Sequence, residues 1–344
     1  MNTRMLLAST LLLAAAGCGP RKPVLHVYTW ADYVDPGRVA AFEAAHGCRV
    51  SIDTFDSNEA MYAKLKAGGA AYDLVLPSSY QVALMRAQNM IQPFDEAQLP
   101  HVRQNIDPDY LRFASDPGMR HAIPYAMTFT GLAYRRDKVG ELPPTWGVFT
   151  NAAFRGKSTL LADMRETIGA ALRVCGASMN STNPAELARA RDVVIGWKRN
   201  IAKFENEQYK TGLASGEFVL AHGYNCDVLQ VQEDCPEIAF VLPEEGFSFT
   251  FDEFAIPVDA PNPGLAHAFV DFLYDAGNAA ANMAYICSMM PVKTAYPLLD
   301  EEFRASPTIF ISPGALDAGG EMLRDVGDAL PLYTRTWDEI KAAK

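Results

Sequence analysis

An alternation of short apolar runs with capped helical segments, beginning at Val24, constrains this chain more than any other feature. Val24 to Thr29 reads as a strand. Asp35-Pro36 then opens a helix, with a capping carboxylate, a proline at the first helical position and apolar residues at Val39, Phe42 and Ala45. Gly47 closes it. Arg49 to Phe55 predicts a second strand, and Ser57 caps a helix through Met61 and Leu65 that stops at Gly68-Gly69. Asp73 to Pro77 predicts a third strand, and Gln81 to Gln88 another helix. Strands and helices in that order argue for an α/β domain with a largely parallel sheet.

A second unit of the same character begins after Tyr134. Pro143-Pro144 marks a loop, Ser158 to Leu161 a strand, and Thr167 to Val174 a helix ended by Gly176. Pro184 opens a long helix to about Arg199, and Phe218 to Ala221 and Ile238 to Leu242 read as strands. Asp252 to Pro257 precedes helices rich in Ala, Phe and Leu. The 344 residues, 49% of them hydrophobic, suffice for one large domain or two ordinary ones. No flexible linker separates the two units, so they are expected to share a cleft, a common place for a ligand.

The first seventeen residues carry one charge, Arg4, then an apolar run and small residues that end at Cys18. So short a segment with those flanks reads as a secretory signal peptide over 1–17 rather than a membrane span. The small residues before Cys18 resemble the lipobox of bacterial lipoproteins, in which that cysteine takes lipid, although Ala15 stands where leucine is usual. An ordinary signal peptide with an incidental cysteine is the alternative. Either way the chain is expected to be exported, and no later stretch approaches eighteen consecutive apolar residues. Asp and Glu number 41 against 30 Lys and Arg, a formal net charge of -11. That balance argues against a nucleic-acid partner and suits a cationic ligand.

Beyond Cys18 lie Cys48, Cys175, Cys226, Cys235 and Cys287, too few and too odd for a disulfide scaffold. One bridge is conceivable, with Cys226 and Cys235 the closest pair, but spacing does not establish it. The six histidines are scattered, and no His/Cys cluster has zinc-ligand spacing, so no metal and no cofactor are expected.

Four segments carry a family resemblance. They are Tyr28-Thr-Trp30-Ala-Asp32-Tyr33-Val34 followed by Ser57 to Leu65, Tyr72 to Tyr80, Asp163-Met-Arg-Glu166, and Phe251-Asp252-Glu-Phe-Ala-Ile-Pro257. In order and separation they resemble the substrate-binding proteins of bacterial polyamine ABC transporters, the periplasmic spermidine- and putrescine-binding family. The resemblance implies an α/β, two-lobed periplasmic-binding-protein fold of type II, each lobe a mixed β-sheet flanked by helices, with the ligand cleft at the hinge. Residues 24–128 plus 252–296 would form lobe 1, and 134–250 plus 302–344 lobe 2. The implied partners are a polyamine, the permease subunits of an ABC importer and, through Cys18, a membrane.

A polyamine is a methylene chain with ammonium groups at intervals, so its site needs aromatic walls and separated carboxylates. Trp30, Tyr33 and Tyr80 match aromatic pocket positions of that family, and Ser78 matches a polar one. Asp163, Glu166 and Asp252 match carboxylates that meet ammonium groups. Asp32 and Asp227 resemble the putrescine-binding branch, which favours putrescine over spermidine, and Tyr224 stands where the family prefers tryptophan. Thr250 and Ser288 replace rings, Ala31 a small hydroxyl residue, and Leu323 a glutamine. Taken singly, each residue has a plainer explanation: Asp163-x-x-Glu166 also reads as a capping-box-like helix start, and Ser78-Ser79 could cap the next helix. Three alternatives stay open. They are a two-lobed carrier for another solute, a polyamine sensor, and a hydrolase using Cys226 and His222, four residues apart, as nucleophile and base. No oxyanion-hole motif accompanies that last pair.

Overall fold

The computed structural model describes residues 22–68, 71–306 and 308–343. The signal segment 1–17, Cys18 and Gly69 lie outside them. In chain order the strands are β1 (Val24–Thr29), β2 (Arg49–Thr54), β3 (Leu74–Val75), β4 (Ile91–Gln92), β5 (Ile123–Arg135), β6 (Ser158–Leu160), β7 (Lys203–Phe204), β8 (Leu220–Tyr224), β9 (Ile238–Val241), β10 (Phe247–Phe254), β11 (Ile256–Pro257) and β12 (Gly320–Met322).

Local chemistry explains the first elements. In the helix Pro36–His46 the Asp35 carboxylate accepts from the Gly37 amide at 2.7 Å, and Gly47 terminates it at a φ of 62°, a left-handed conformation that glycine takes without a Cβ penalty. Its Phe42 is fully buried, edge-on to Phe269. β1 pairs in parallel with β2 and β3, giving the order β2-β1-β3. An antiparallel bridge from Val75 to Ala255 leads on to the pair β11-β4. The second sheet is mixed rather than largely parallel: β5 runs antiparallel to β8, β9 and β10, while β6 runs parallel to β7 and β8.

β5 is the longest of the strands that sequence periodicity does not mark. All of its thirteen residues but the last are buried, so the chain shows no polar alternation there, and the boundary expected at Tyr134 falls inside this strand. One apolar core gathers residues between Leu25 and Ala126 with residues between Phe254 and Leu299. A second gathers residues between Leu132 and Ala239 with Val326, Tyr333, Trp337 and Ile340. These are the two lobes. Between them Met127 and Phe129 of β5, the phenylalanines 247, 249 and 251 of β10, and Ile309 and Ile311 form a third cluster where the chain crosses.

Cys48, Cys175, Cys226, Cys235 and Cys287 are all free thiols, so the conceivable Cys226–Cys235 bridge does not form. Cys226 sits in the first turn of the helix Asn225–Gln232, and Cys235 lies beyond its far end. Among the described residues no helix is long and apolar enough to cross a membrane, and no group of three or more His, Cys, Asp or Glu side chains is placed to hold a metal ion.

Candidate ligand-binding cavity

On the first lobe the site is built around Asp252 of β10. An isolated antiparallel bridge sets Ser78 opposite Asp252. Ser78 holds the capping position of the helix Ser79–Ala87, yet its hydroxyl makes no cap bond. It donates instead to Asp252 Oδ1 at 2.6 Å, while the Tyr33 hydroxyl donates to Oδ2 at 2.5 Å. Burial lifts the Asp252 carboxyl to about 6, against the pull of those two donors. Asn58 fixes this corner. Its Oδ1 accepts from the Ser78 amide at 3.0 Å, and its Nδ2 donates to Ser78 Oγ at 3.1 Å and to the Tyr80 hydroxyl at 2.9 Å.

On the second lobe the helix Met164–Val174 starts a turn earlier than its apolar period indicates, because Asp163 caps it. The Asp163 carboxylate accepts from the amides of Arg165 at 2.8 Å and Glu166 at 3.0 Å. Glu166 does not return to the cap as a full capping box would have it. Its Oε2 accepts from Thr130 Oγ1 at 3.0 Å and from the Ser248 hydroxyl. Burial first, and then the charge of Asp163, push the Glu166 carboxyl up to about 8, and burial raises Asp163 as well. Between them in sequence, Arg165 turns away. Its guanidinium donates to Asn180 Oδ1 and the Arg324 carbonyl and lies over the rings of Tyr80 and Tyr333.

A third wall joins Tyr224, Asp227 and the helix Gln208–Ser215. Asp227 Oδ2 accepts from the buried Tyr209 hydroxyl at 2.5 Å, and its Oδ1 lies 3.4 Å from Lys210 Nζ. Lys210 is also 3.5 Å from Glu207. Burial works against the Lys210 ammonium, but Asp227 and Glu207 outweigh it and raise its pKa. Gly223 is required here: a Cβ would come within 2.7 Å of the Tyr209 ring that orients Asp227.

Nine of the ten residues expected in the site, Trp30, Tyr33, Ser78, Tyr80, Asp163, Glu166, Tyr224, Asp227 and Asp252, line one cavity between the lobes. Asp32 does not. It is exposed in a tight turn with a φ of 52°. Asp56, Asn206, Glu207 and Lys210 join the lining without a sequence signal to mark them, and Asn58 joins it from within the segment Ser57 to Leu65. Thr250 also lines it, its hydroxyl donating to the Phe251 carbonyl. Ser288 and Leu323 are buried away from it, Ser288 donating to the Met127 carbonyl at 2.6 Å. Trp30 Nε1 and Asn206 Oδ1 are buried with no hydrogen-bond partner among the described residues. The cavity encloses about 70 Å³ and is lined from both lobes.

The Cys226–His222 pair is not assembled. His222 lies in β8 and not on the helix of Cys226, its ring nitrogens have no hydrogen-bond partner among the described residues, and it packs edge-on to Trp146. Burial drops its pKa to about 3 and pushes the Cys226 thiol well up, the reverse of what a base and nucleophile need.

The profile of the family described as bacterial extracellular solute-binding protein matches residues 37–311. The chain belongs to this family. It is 30% identical to the putrescine/cadaverine-binding protein of Pseudomonas aeruginosa, covering 99% of each sequence. It is 33% identical to the spermidine/putrescine-binding periplasmic protein of Escherichia coli, over 93% of this chain and 92% of the other. The crystal structure of the Tp0655 (TpPotD) lipoprotein of Treponema pallidum superposes with a TM-score of 0.83 at 31% identity, over 92% of this chain and all but 1% of that one. The two-lobed type II fold of the solute-binding proteins is thus the fold of this one.

Proposed function

We propose that this chain is the substrate-binding component of a bacterial ABC importer, that it captures an aliphatic polyamine between its lobes, and that it hands the ligand to a permease. The observation that carries this is the charge of the cavity: among the described residues six carboxyl groups line it, against the single ammonium of Lys210. No ion pair among the described residues involves Asp56, Asp163, Glu166 or Asp252. Of these, Asp163, Glu166 and Asp252 are held above the ordinary carboxylate range by burial, and a ligand with spaced ammonium groups makes their charged forms favourable. Trp30, Tyr33, Tyr80 and Tyr224 supply apolar faces for methylenes, and an ammonium over such a face gains about 0.5–2 kcal/mol. The names of the relatives from Pseudomonas aeruginosa and Escherichia coli point to the same ligand class.

The lobe division at 128/134, 250/252 and 296/302 belongs to this reading, as does its role as a carrier rather than an enzyme, which the family of its relatives supports. The run ending in Cys18 supports a lipid anchor on the outer side of a cell membrane, and the Treponema pallidum relative is itself named a lipoprotein. A thermal-shift panel tests the ligand class. At least one of putrescine, cadaverine, spermidine and spermine should raise the melting temperature, with about 2.7 kcal/mol of added stability at a hundredfold excess over Kd, and neutral sugars should not. A flat response to all four, with a clear shift from an anion or a sugar, overturns it.

A further inference from the structure

Among the described residues Lys210 is the only cation that lines the cavity, and it points at acids that a ligand ammonium would otherwise take. Its side chain is 16% exposed, and its Nζ is 3.4 Å from Asp227 Oδ1 and 3.5 Å from Glu207 Oε2. Tyr209 occupies the other oxygen of Asp227. This corner is therefore satisfied by the protein itself. The other buried carboxylates of the cavity have no such ion pair among the described residues: Asp163 and Glu166 on the second lobe receive amide and hydroxyl donors, and Asp252 on the first the hydroxyls of Tyr33 and Ser78.

We propose that Lys210 is a specificity-determining residue that acts as a built-in ammonium, filling the cationic position at Asp227 and Glu207 and so limiting the ligand to two charges. The inference rests on the polyamine reading above and deepens it. A diamine places its two ammonium groups among Asp163, Glu166 and Asp252 and leaves Lys210 where it is. A triamine must seat its third ammonium at the remaining acids, where it meets Lys210 as a like charge, or must displace that side chain from both partners. Discrimination thus comes from an unfavourable element against the longer ligand as much as from contacts to the shorter one. Removing the Lys210 ammonium leaves Asp227 and Glu207 without a cation, a deficit that only a third ligand ammonium makes good.

Titration calorimetry with putrescine and spermidine on the full chain tests this. Wild type should bind putrescine more tightly. Lys210→Met should shift the ratio of the two dissociation constants toward spermidine by about tenfold or more, the scale of a like-charge contact removed. Lys210→Arg, which keeps the charge, should hold the ratio near that of wild type. Lys210→Gln serves the same test where the methionine variant does not fold, with circular dichroism as the check on both. A wild type that prefers spermidine, or a ratio unmoved in a folded Lys210→Met or Lys210→Gln, overturns the role of Lys210 and leaves the polyamine reading standing. A wild type that binds neither amine overturns both.

Discussion

Glu166 holds its proton across much of the pH range in which an aliphatic amine is fully charged, because burial and the neighbouring Asp163 carry its carboxyl from an ordinary 4.5 to about 8. An ammonium placed beside it favours the carboxylate and draws that proton off. Polyamine binding at pH 7 should therefore release protons, and affinity should rise between pH 6 and 8. Calorimetry in two buffers of different ionisation enthalpy measures the release; none at pH 7 would mean that no ammonium reaches Glu166. The sign for stability runs the other way. With a folded-state pKa above the unfolded one, Glu166 contributes stability that is fully present below about 4.5 and lost as pH rises through about 8. Asp252, lifted to about 6, adds a loss of the same sign that is complete at lower pH. The melting temperature of the ligand-free protein should fall less between pH 5 and 8 in Glu166→Gln than in wild type.

Two strands carry the chain between the lobes. β5 and β10 pair antiparallel from Phe249–Phe129 to Phe254–Ile123, and their register shifts between Asp252 and Glu253. Beyond that pairing β5 continues into the second lobe against β8 and β9. The crossings expected at Thr128–Tyr134 and Thr250–Asp252 thus lie inside continuous strands, and the local bend of an irregular register is where such a pair can flex. The lobes also touch across the cleft: Asn206 Nδ2 donates to the Asp56 carbonyl and Gln230 Nε2 to the Tyr285 carbonyl, each at 3.2 Å. These two exposed hydrogen bonds and the Arg165 guanidinium over the Tyr80 ring are weak fasteners, so the ligand-free protein should open in solution. Small-angle scattering should show compaction when a polyamine is added. Superimposable curves at saturating ligand would mean a rigid cleft.

At the scale of the whole molecule, capture is useful only if the carrier stays near its permease, and a lipid on Cys18 would keep it there. Membrane anchoring by acyl chains is additive in buried methylenes and needs no contact from the folded body. Cys18→Ser should consequently release the protein to a soluble fraction or leave it unprocessed, without changing its affinity for ligand. Membrane association that persists unchanged in that variant would count against a lipoprotein. Fractionation followed by immunoblotting decides it.

Sequence alone determined what acts over a few residues or over a whole composition. Asp35, Pro36 and Gly47 define their helix because capping, a preset φ and a left-handed turn are local effects. The acidic balance forecast a cationic ligand, and the carboxylates of the cavity came forward through resemblance; spacing alone would have left Asp163 a helix cap, which it also is. The tertiary structure decided the rest. It joined Asp252 to Ser78 and Tyr33, 174 and 219 residues away, left Asp32 in solvent, and seated Lys210 against Asp227 inside the cavity. No local pattern encodes those partnerships. They exist because packing two lobes together strips water from particular carboxylates, and which charges lose their water depends on what the fold lays beside them.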